Sequence, residues 1–403
     1  MLRSRDYAAL ASDAQLVLQA LEQLNRLYCD EPDIQARFPE LRHLRPYISH
    51  ATSGQRDIPL ARFDLMRGAD GRWQMLESNS DCPGGLTLTG IVNRAFRASD
   101  FYDRHLVERV QAVENADGFL QLMRERSPRQ PARLAFLWSE FQPLRNDIQT
   151  LHDRALSLGG PAPYIGPVQS LVFREDQVLA DGRPIDLAFT KIDTTLGADG
   201  LIHWCAWRHD PEEARPLLEA MASGQLRTLS PLPAMMVAEN KRALALLFED
   251  DVRRTLSAAQ CAAIDRLVAP SSCLGPACKA PRWTAAELLA VPHRFVLKTA
   301  IDTRGRGVFV GRDCKPAQWQ LLVEQALAGR LLVQALIDAK PEAVTIDLEQ
   351  RPPMHNVLSL FLYGGKPVGL LGRCARQSIV NVGHGGLLRP ALVVDELPSY
   401  VEH

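Results

Sequence analysis

The sequence has no long apolar run. None of its stretches approaches the roughly 18–20 consecutive apolar residues that a membrane-spanning helix needs. The first 24 residues interleave charged and apolar side chains at helical spacing and contain no continuous apolar core, whereas a secretory signal requires one. We therefore expect a cytoplasmic protein that has no membrane partner.

An excess of charge of either sign is also missing. The 403-residue chain carries 46 Lys and Arg against 47 Asp and Glu, a formal net charge of −1. This balance argues against non-specific binding of nucleic acid, which needs a basic surface. Apolar residues make up 46% of the chain and charged residues 23%, values typical of a globular protein. The length predicts two or three structural units around a sizeable core.

The cysteines form no paired motif. There are eight of them, and no CxxC pair is matched by a second pair at the spacing of a zinc site. The nearest pair, Cys273 and Cys278, lies in a loop-like stretch. We expect free thiols in a reducing compartment.

Several common catalytic signatures are absent as well. The chain has neither the GxxxxGK[ST] phosphate loop nor the GxGxxG dinucleotide fingerprint. No Ser/His/Asp or Cys/His arrangement indicates a protein nucleophile. A reaction that needs no covalent enzyme intermediate fits this absence.

The spacing of apolar residues predicts alternating helices and strands. Helical spacing covers 7–27, about 33–50, 143–158 and 316–328, and strand-like runs cover 133–138, 184–192, 293–300 and 330–337. Two further strands are predicted to pair around Gly364 and Gly365. This alternation predicts an α/β (α+β) fold in which some strands run parallel.

A predicted hairpin at 62–79 carries the most informative polar residues. Asp70-Gly71 is a preferred two-residue type I′ loop. With that loop, Arg62 faces Asn79 and Asp64 faces Glu77. Side chains alternate along a strand, so these four side chains share one face of the hairpin.

Two carboxylates that face each other across a strand pair repel. Arg62 can compensate for part of this repulsion. A divalent ion can compensate for more, because Mg²⁺ favours one or two carboxylates together with amide, water or phosphate oxygens. The alternative is a solvated polar face on an edge hairpin, in which Arg62 forms an ordinary salt bridge. The hairpin alone leaves both interpretations open.

Three further basic clusters are candidates for anion binding. Lys298 ends a predicted strand and is followed by a glycine-containing loop, whose backbone amides can approach phosphate oxygens closely. Lys241 lies at the start of a helix, where a lysine gains nothing from the helix dipole, so a bound anion would explain its position. Arg373 and Arg376 could clamp phosphate or carboxylate groups. An ordinary turn and surface basic pairs are the alternatives.

Taken together and in this order, these segments resemble the circularly permuted ATP-grasp ligases, specifically the C-terminal synthetase of glutathionylspermidine synthase. The pattern RxD, then ExN about a dozen residues later, then PGG carries most of the resemblance. The segments are ARFDLMRGADGRWQMLESNSDCPGG, DGRPIDLAFTKID, VAENKRALALL, VLKTAIDTRGRGVFVG, LLVQALI and GKPVGLLGRCARQSIVNVGHGG. They span about 60–390, and Lys191 stands where relatives often carry arginine.

The resemblance implies a role for each of the singled-out residues. Asp64, Glu77 and Asn79 match the Mg²⁺ ligands, and Arg62 matches the catalytic arginine that holds the acyl phosphate or the transition state. Lys241 and Lys298 match lysines that bind the ATP phosphates, with Gly305 and Gly307 in the mobile loop 303–307. Gln334 matches a hinge-strand position near adenine. For a late arginine on the phosphate side there are two candidates, Arg373 as a nucleotide ligand and Arg376 as a catalytic residue.

The resemblance further implies the activity and the organisation of the chain. ATP and Mg²⁺ would support amide formation between a small-molecule carboxylate and an amine, through an acyl phosphate and with release of ADP and phosphate. The expected fold is a circularly permuted ATP-grasp with a helical N-terminal segment at 1–60, a substrate and metal-hairpin region at 61–230 and a nucleotide-binding region at 231–403. An ATP-grasp phosphotransferase, a non-catalytic ATP-grasp binding protein and a metal-dependent hydrolase are the alternatives.

Overall fold

The computed structural model describes residues 1–50, 56–105, 110–111, 116–140, 145–159, 161–204, 211–302, 305–346 and 349–395. The helices in these residues are α1 (Ser4–Asp30), α2 (Pro32–Gln35), α3 (Leu88–Arg97), α4 (Asp100–His105), α5 (Ala116–Arg126), α6 (Arg145–Ser157), α7 (Arg215–Ala222), α8 (Lys241–Leu246), α9 (Asp250–Arg253), α10 (Ala258–Leu267), α11 (Ala285–Ala290) and α12 (Pro316–Leu327).

The strands form several sheets, most of them antiparallel. They are β1 (Leu2–Arg3), β2 (Leu60–Arg67), β3 (Trp73–Asn79), β4 (Val110–Gln111), β5 (Leu134–Trp138), β6 (Tyr164–Pro167), β7 (Val172–Phe173), β8 (Val178–Ala180), β9 (Arg183–Pro184), β10 (Leu187–Lys191), β11 (Thr194–Leu196), β12 (Ile202–Trp204), β13 (Ser271–Cys273), β14 (Phe295–Thr299), β15 (Val308–Val310), β16 (Leu331–Ala335), β17 (Glu342–Ile346), β18 (Glu349–Tyr363), β19 (Lys366–Ala375), β20 (Leu387–Arg389) and β21 (Val393–Val394).

A six-stranded antiparallel sheet forms the centre of the molecule. Its order is β20-β19-β18-β2-β3, and β17 pairs with β18. Because side chains alternate along each strand, one face is apolar and carries Phe63, Leu65 and Leu360, which are fully buried in the largest hydrophobic cluster. The opposite face carries the polar residues of the predicted hairpin. The sheet therefore separates the main core from the polar groups.

The long helix α1 packs against the core side of the sheet. The predicted helix at 7–27 lies within α1, whose buried face includes Leu10, Val17, Leu21 and Leu24. The predicted helix at 33–50 is wrong in extent, because only α2 and a short 3₁₀ turn at Pro39–Leu41 form there. Prolines at positions 32, 39 and 46 interrupt the backbone hydrogen bonds that a longer helix needs.

Two smaller sheets flank the central one. The three strands β10-β5-β6 run parallel, as predicted for the middle of the chain, and their core is shared with Phe119 of α5 and Ile148 of α6. The four strands β13-β16-β14-β15 are antiparallel and pack on α11 and α12 around Trp319. The predicted strands at 293–300 and 330–337 and the helix at 316–328 are confirmed in this unit.

The hairpin at 60–79 has a longer loop than predicted. The Gly68 N–H donates to the Arg72 carbonyl at 2.9 Å, and the Gly71 N–H donates to the Gly68 carbonyl at 2.9 Å. The loop therefore contains the three residues at 69–71 and not two. Gly71 has φ of 82°, which is the left-handed position that ends a loop of this type.

A β-bulge in the second strand restores the predicted pairing. Leu65 faces Met75, whereas its neighbour Asp64 faces Glu77, so Leu76 is an extra residue in β3. The extra residue in the loop and the extra residue in the strand cancel. Arg62 consequently faces Asn79, and the predicted register is confirmed for the four polar residues.

The division of the chain into three regions stays a prediction. The central sheet draws β2 and β3 from the second predicted region and β18, β19 and β20 from the third. Within the described residues, no helix is both long and apolar enough to cross a membrane.

The two Asp-Gly turns allow a matched test of the loop geometry. Asp181 is the one described non-glycine residue with positive φ, at 48°, and it forms a two-residue loop between Ala180 and Arg183. We expect Asp181→Gly to leave the free energy of unfolding unchanged or slightly higher. Asp70→Gly should lower it by at least about 0.5–1 kcal/mol, because Asp70 is not among the residues with positive φ, so glycine adds flexibility to the unfolded chain, and because its carboxylate accepts from the Arg72 N–H at 3.0 Å. Urea denaturation of both variants measures the difference, and equal effects would contradict the three-residue loop.

Candidate functional site

A cleft of about 710 Å³ lies between the polar face of the central sheet and the four-stranded sheet. The floor of the cleft is the hairpin β2–β3 together with β18 and β19. Basic side chains surround its middle, acidic side chains line the end near the parallel sheet, and apolar side chains line the other end. The cleft brings together segments from nearly the whole length of the chain.

Asp64 is the centre of the cleft floor, and it is only 2% exposed. Arg62 donates to both of its carboxylate oxygens, at 2.9 and 2.8 Å. Arg373 approaches Oδ1 at 2.7 Å, and the Ser359 hydroxyl donates to the same atom at 2.8 Å. The Asn79 amide donates to Oδ2 at 3.4 Å. The two guanidinium groups outweigh burial and hold the pKa of the Asp64 carboxyl well below its usual range.

Glu77 and Asn79 lie on the same face as Asp64 and are less enclosed. Asn79 donates through Nδ2 to the Arg62 carbonyl at 3.3 Å and to Asp64, so its carbonyl oxygen Oδ1 points away from these acceptors. Glu77 Oε2 is 3.4 Å from Lys241 Nζ. A carboxylate oxygen and an amide oxygen are thus presented to the cleft from one strand.

Lys241 and Lys298 approach this patch from different parts of the chain, as predicted. Lys241 begins α8, whose first turn is capped by the Asn240 side chain, and it points toward Glu77. Lys298 is the fourth residue of β14, and its Nζ donates to the Leu76 carbonyl at 3.0 Å. Burial lowers the pKa of Lys298 to about 8, although the nearby Glu77 opposes this shift. Both lysines line the same cleft.

Gln334 lies within β16, and its position near adenine stays a prediction. The residue is buried and its amide donates to the Leu76 carbonyl at 3.2 Å and to the Ser271 hydroxyl at 3.0 Å. Its side chain does not line the cleft. Leu76 is the extra residue of the bulge and is left out of the β2–β3 pairing, and Gln334 donates to its carbonyl. Leu336 and Ile337, just beyond this strand, line the cleft in its place.

The two candidate arginines, Arg373 in β19 and Arg376 just after it, differ in their position relative to the cleft. Arg373 lines the cleft and contacts Asp64, whereas Arg376 is exposed and lies outside the lining of the cleft. Arg376 follows the end of β19 at Ala375, where strand alternation no longer directs it inward. The predicted catalytic role of Arg376 therefore has no support in its position.

The predicted mobile loop lies only in part within the described residues, because residues 303–304 are outside them. Gly305 lines the cleft with φ of 73°. Gly307 does not line it. A Cβ at Gly307 would lie 2.1 Å from the Thr299 hydroxyl, so this glycine permits the close approach of the loop to β14.

An acidic group at the other end of the cleft was not foreseen from the sequence. Asp81 and Glu239 line it, and Glu239 accepts hydrogen bonds from the backbone N–H groups of Ser80 and Asp81. Burial and mutual repulsion raise the pKa of Asp81, and burial raises the pKa of Glu239. Asp81 and Glu239 come from distant segments, so no local sequence pattern predicts that they lie together.

Lys191 is the basic group at this acidic end. Its Nζ donates to the Cys82 carbonyl at 2.6 Å and lies 3.8 Å from an Asp147 oxygen. Lys191 and Arg62 also flank Gly84, since a Cβ there would lie 3.9 Å from Lys191 Nζ and 3.7 Å from Arg62 Nη1. Arg62 Nη1 donates to the Gly84 carbonyl at 2.9 Å. Two cations thus converge above a residue that has no side chain.

Ser359 is the contact residue that the sequence signals most directly but that was missed. It stands alone as a polar residue in the apolar run VLSLFLY of β18. It is fully buried and faces Asp64 across the strand pair. An isolated hydroxyl at the centre of an apolar strand requires a hydrogen-bond partner, and here that partner is a carboxylate.

The residues that could hold a metal ion are Glu77 and Asn79. No group of three or more His, Cys, Asp or Glu side chains in the described part of the chain is arranged for a metal ion. Mg²⁺ needs few protein ligands when phosphate and water oxygens complete its shell, so one carboxylate and one amide oxygen fit it. Asp64 does not fit, because its two oxygens already accept four hydrogen bonds and form an ion pair with Arg373.

Stability against acid should depend on Asp64. Its pKa in the folded state is lowered, so its stabilising effect is present above the unfolded value of about 3.9 and is lost as the pH falls below that value. We expect Asp64→Asn to lower the free energy of unfolding by about 3–5 kcal/mol at neutral pH, because two buried arginines lose their partner. The difference from the unsubstituted protein should narrow below about pH 4.

The matched control is Asp265→Asn. Asp265 also accepts two hydrogen bonds from one arginine, Arg253, at 2.9 and 2.8 Å, but the pair is exposed. This variant should lose less than about 1 kcal/mol. Urea denaturation across the acid range measures both variants, and a similar loss in both would contradict the buried role of Asp64.

The comparisons with known proteins concern the fold. No protein-family model matches the sequence, and no curated protein matches it. Among solved structures, the chain is similar to a glutathione synthetase-like effector from Globodera pallida in its apo form. The TM-score is 0.59 at 13% sequence identity, and the match covers 98% of this chain and 88% of the effector chain. The similarity extends over nearly the entire length and shows that the two proteins share a mixed helix and sheet fold.

Proposed function

We propose that the protein is an ATP-dependent carboxylate–amine ligase of the circularly permuted ATP-grasp type. The observation that carries this proposal is the convergence of Arg62, Lys241, Lys298 and Arg373 on one cleft that also presents Glu77. Four cations that come from four separate segments to one region of the cleft are suited to a polyphosphate, which carries several negative charges in a small volume. The similarity to a glutathione synthetase-like fold agrees with this function.

The apolar end of the cleft supports a nucleotide as the polyphosphate. Met66, Val310, Ile337 and Val357 line this end, next to the lysines. A flat nucleobase can insert between apolar side chains while its phosphates extend toward the cations. The size of the cleft, about 710 Å³, leaves room for further substrates beside the nucleotide.

Glu77 and Asn79 are the residues that would hold Mg²⁺. When bound, the ion would neutralise phosphate charge and orient the oxygens that leave. Glu77 would contribute a carboxylate oxygen and Asn79 its free amide oxygen. Lys241, which is 3.4 Å from Glu77, would remain close to the phosphates.

The proposed reaction needs positioning and charge neutralisation from the side chains of this chain. A substrate carboxylate oxygen forms a bond to the γ-phosphorus of ATP, the bond to the β–γ bridging oxygen breaks, and ADP leaves. The nitrogen of the amine then bonds to the acyl carbon, phosphate leaves, and the amine loses a proton. Arg62, held between Asp64 and the Gly84 carbonyl, would face the negative charge of the transferred group.

The substrate carboxylate has a candidate position in the same geometry. Arg62 and Lys191 both approach the open space above Gly84, where a carboxylate would meet two cations. The nearby acids Asp81 and Glu239 line the adjoining end of the cleft, where a positively charged amine would be attracted. The cleft therefore offers separate surroundings for the acid, the amine and the nucleotide.

Product analysis tests the proposed activity. We expect ADP and phosphate to appear in the presence of Mg²⁺ only when a carboxylate and an amine are both supplied, from a screen of amino acid and amine pairs. Mass spectrometry should show a product whose mass equals the sum of the acid and the amine minus one water. Glu77→Gln should abolish the signal, whereas Lys279→Arg, at an exposed ion pair, should not change it.

Other products would point to the alternatives. A phosphorylated substrate released without an amine would indicate a phosphotransferase. Binding of ATP without turnover across the whole screen would indicate a non-catalytic binding protein. Absence of nucleotide binding by calorimetry would contradict the ATP-grasp assignment itself.

Nucleotide affinity should depend on pH through Lys298. Because burial lowers its pKa to about 8, Lys298 loses its charge above that pH in the free protein. A bound phosphate favours the charged form, so binding takes up a proton and weakens as the pH rises. We expect the Kd for ADP to increase by up to about tenfold for each pH unit above about 8, as measured by calorimetry in buffers of different ionisation enthalpy.

Lys298→Arg should remove this pH dependence, because arginine stays protonated. Lys279→Arg, in which the replaced lysine is exposed and ion-paired, should retain the profile of the unsubstituted protein. A profile that is flat before any substitution would contradict the role of Lys298 at the phosphates.

A further inference from the structure

The buried carboxylate of Asp64 has no oxygen left for a ligand. Its Oδ1 accepts from Arg62 and Ser359, at 2.9 and 2.8 Å, and forms an ion pair with Arg373 at 2.7 Å. Its Oδ2 accepts from Arg62 and Asn79, at 2.8 and 3.4 Å. A carboxylate offers about four lone-pair positions. A metal ion could bind Asp64 only by displacing one of these donors.

The donors come from four strands of one sheet. Ser359 of β18 lies directly opposite Asp64 of β2, and Arg373 belongs to β19, on the far side of β18. Asn79 extends the row to β3. Asp64 therefore connects four adjacent strands on the face of the sheet that forms the cleft floor.

One of the two arginines, Arg373, keeps a donor that the described part of the protein does not use. Arg373 Nε is buried and has no hydrogen-bond partner in the described part of the chain, although the residue lines the cleft. Arg62 is fixed by bonds to Asp64 and to Gly84 and also lines the cleft. Without the carboxylate of Asp64, the two guanidinium groups would repel each other. Unsatisfied donors on a fixed cation indicate that an anion completes the site.

We propose that Asp64 is a positioning residue that holds Arg62 and Arg373 as a pair of cations facing the transferred phosphoryl group, and that it does not ligate the metal. This inference rests on the proposed ligase function. It differs from the expectation that the resemblance gave for Asp64, and it leaves the metal to Glu77 and Asn79. The planar guanidinium groups suit this role, because each can present two donors to phosphate oxygens while one edge remains on Asp64.

Substitution of a metal ligand would change both kcat and the affinity for the metal, whereas substitution of Asp64 should change only kcat. Removing the charge of Asp64 should disturb the arginine pair and lower kcat, by about a hundredfold as for the loss of one oriented donor. It should leave the affinity for the metal within about twofold, because the ligands of the ion are elsewhere. Removing the charge of Glu77 should weaken metal binding by about tenfold or more.

The experiment uses Mn²⁺ as the probe. Electron paramagnetic resonance titrations measure free Mn²⁺ in the presence of the full chain and ADP, for the unsubstituted protein, Asp64→Asn and Glu77→Gln. We expect the Mn²⁺ Kd to change in Glu77→Gln and not in Asp64→Asn. Equal weakening in the two variants, or weakening in Asp64→Asn alone, would overturn the proposal.

Two variants keep the test valid if Asp64→Asn does not fold. Ser359→Ala removes one donor to Asp64 and keeps every charge, and Arg373→Lys keeps the cation but removes the fork. Both substitutions should lower kcat while the Mn²⁺ Kd stays unchanged. The decrease in kcat should be larger for Arg373→Lys than for Ser359→Ala. An unchanged kcat in both would overturn the arginine-pair role, and thermal unfolding of each variant excludes a loss of structure as the cause.

The same measurements distinguish a failure of the Asp64 assignment from a failure of the proposed ligase function. If the unsubstituted protein binds neither ADP nor Mn²⁺ with ADP, the proposed function fails before Asp64 is considered. If it binds both and turns over, and Asp64→Asn alters metal binding as Glu77→Gln does, only the assignment of Asp64 fails.

Discussion

The buried negative charge of Asp64 is the constraint on which the cleft depends. Two arginines could not lie side by side in the floor of the cleft without a counter-charge, and a lone carboxylate could not be buried without donors. Each makes the other possible, and Ser359 and Asn79 complete the set. The apolar opposite face of the same sheet fixes the strands, so the polar groups are held by the core as well as by one another.

A second connection joins the two halves of the cleft. The Leu76 carbonyl accepts from Lys298 of β14 and from Gln334 of β16, which ties the four-stranded sheet to the hairpin. Lys298 is therefore held beside the hairpin without any anion. Its partner in this state is neutral, which accounts for the dominance of burial over charge attraction in its pKa.

The sequence predicted which polar residues share one face of the hairpin but not how the backbone brings them there. Strand alternation placed Arg62, Asp64, Glu77 and Asn79 on one face, yet the pairing is correct only because an extra loop residue is balanced by the bulge at Leu76. Neither residue type nor spacing distinguishes these arrangements. The resemblance could not show that the buried Gln334 amide donates to the Leu76 carbonyl, because that contact depends on tertiary folding. Asp81 and Glu239 were missed because only tertiary folding brings them together, whereas Ser359 was visible as a polar break in an apolar strand.

The carbonyl at Leu76 also bears on how the site could be recognised in other sequences. A backbone oxygen is present whatever side chain the residue carries, so position 76 can accept many apolar residues without losing the contact to Lys298 and Gln334. In an alignment of related sequences, position 76 would then vary, although the two sheets are joined through it. Lys298 and Gln334, whose side chains donate to its carbonyl, would vary less. Measures of importance that count residue identities would rank such a position low, because its contribution lies in the shape of the main chain.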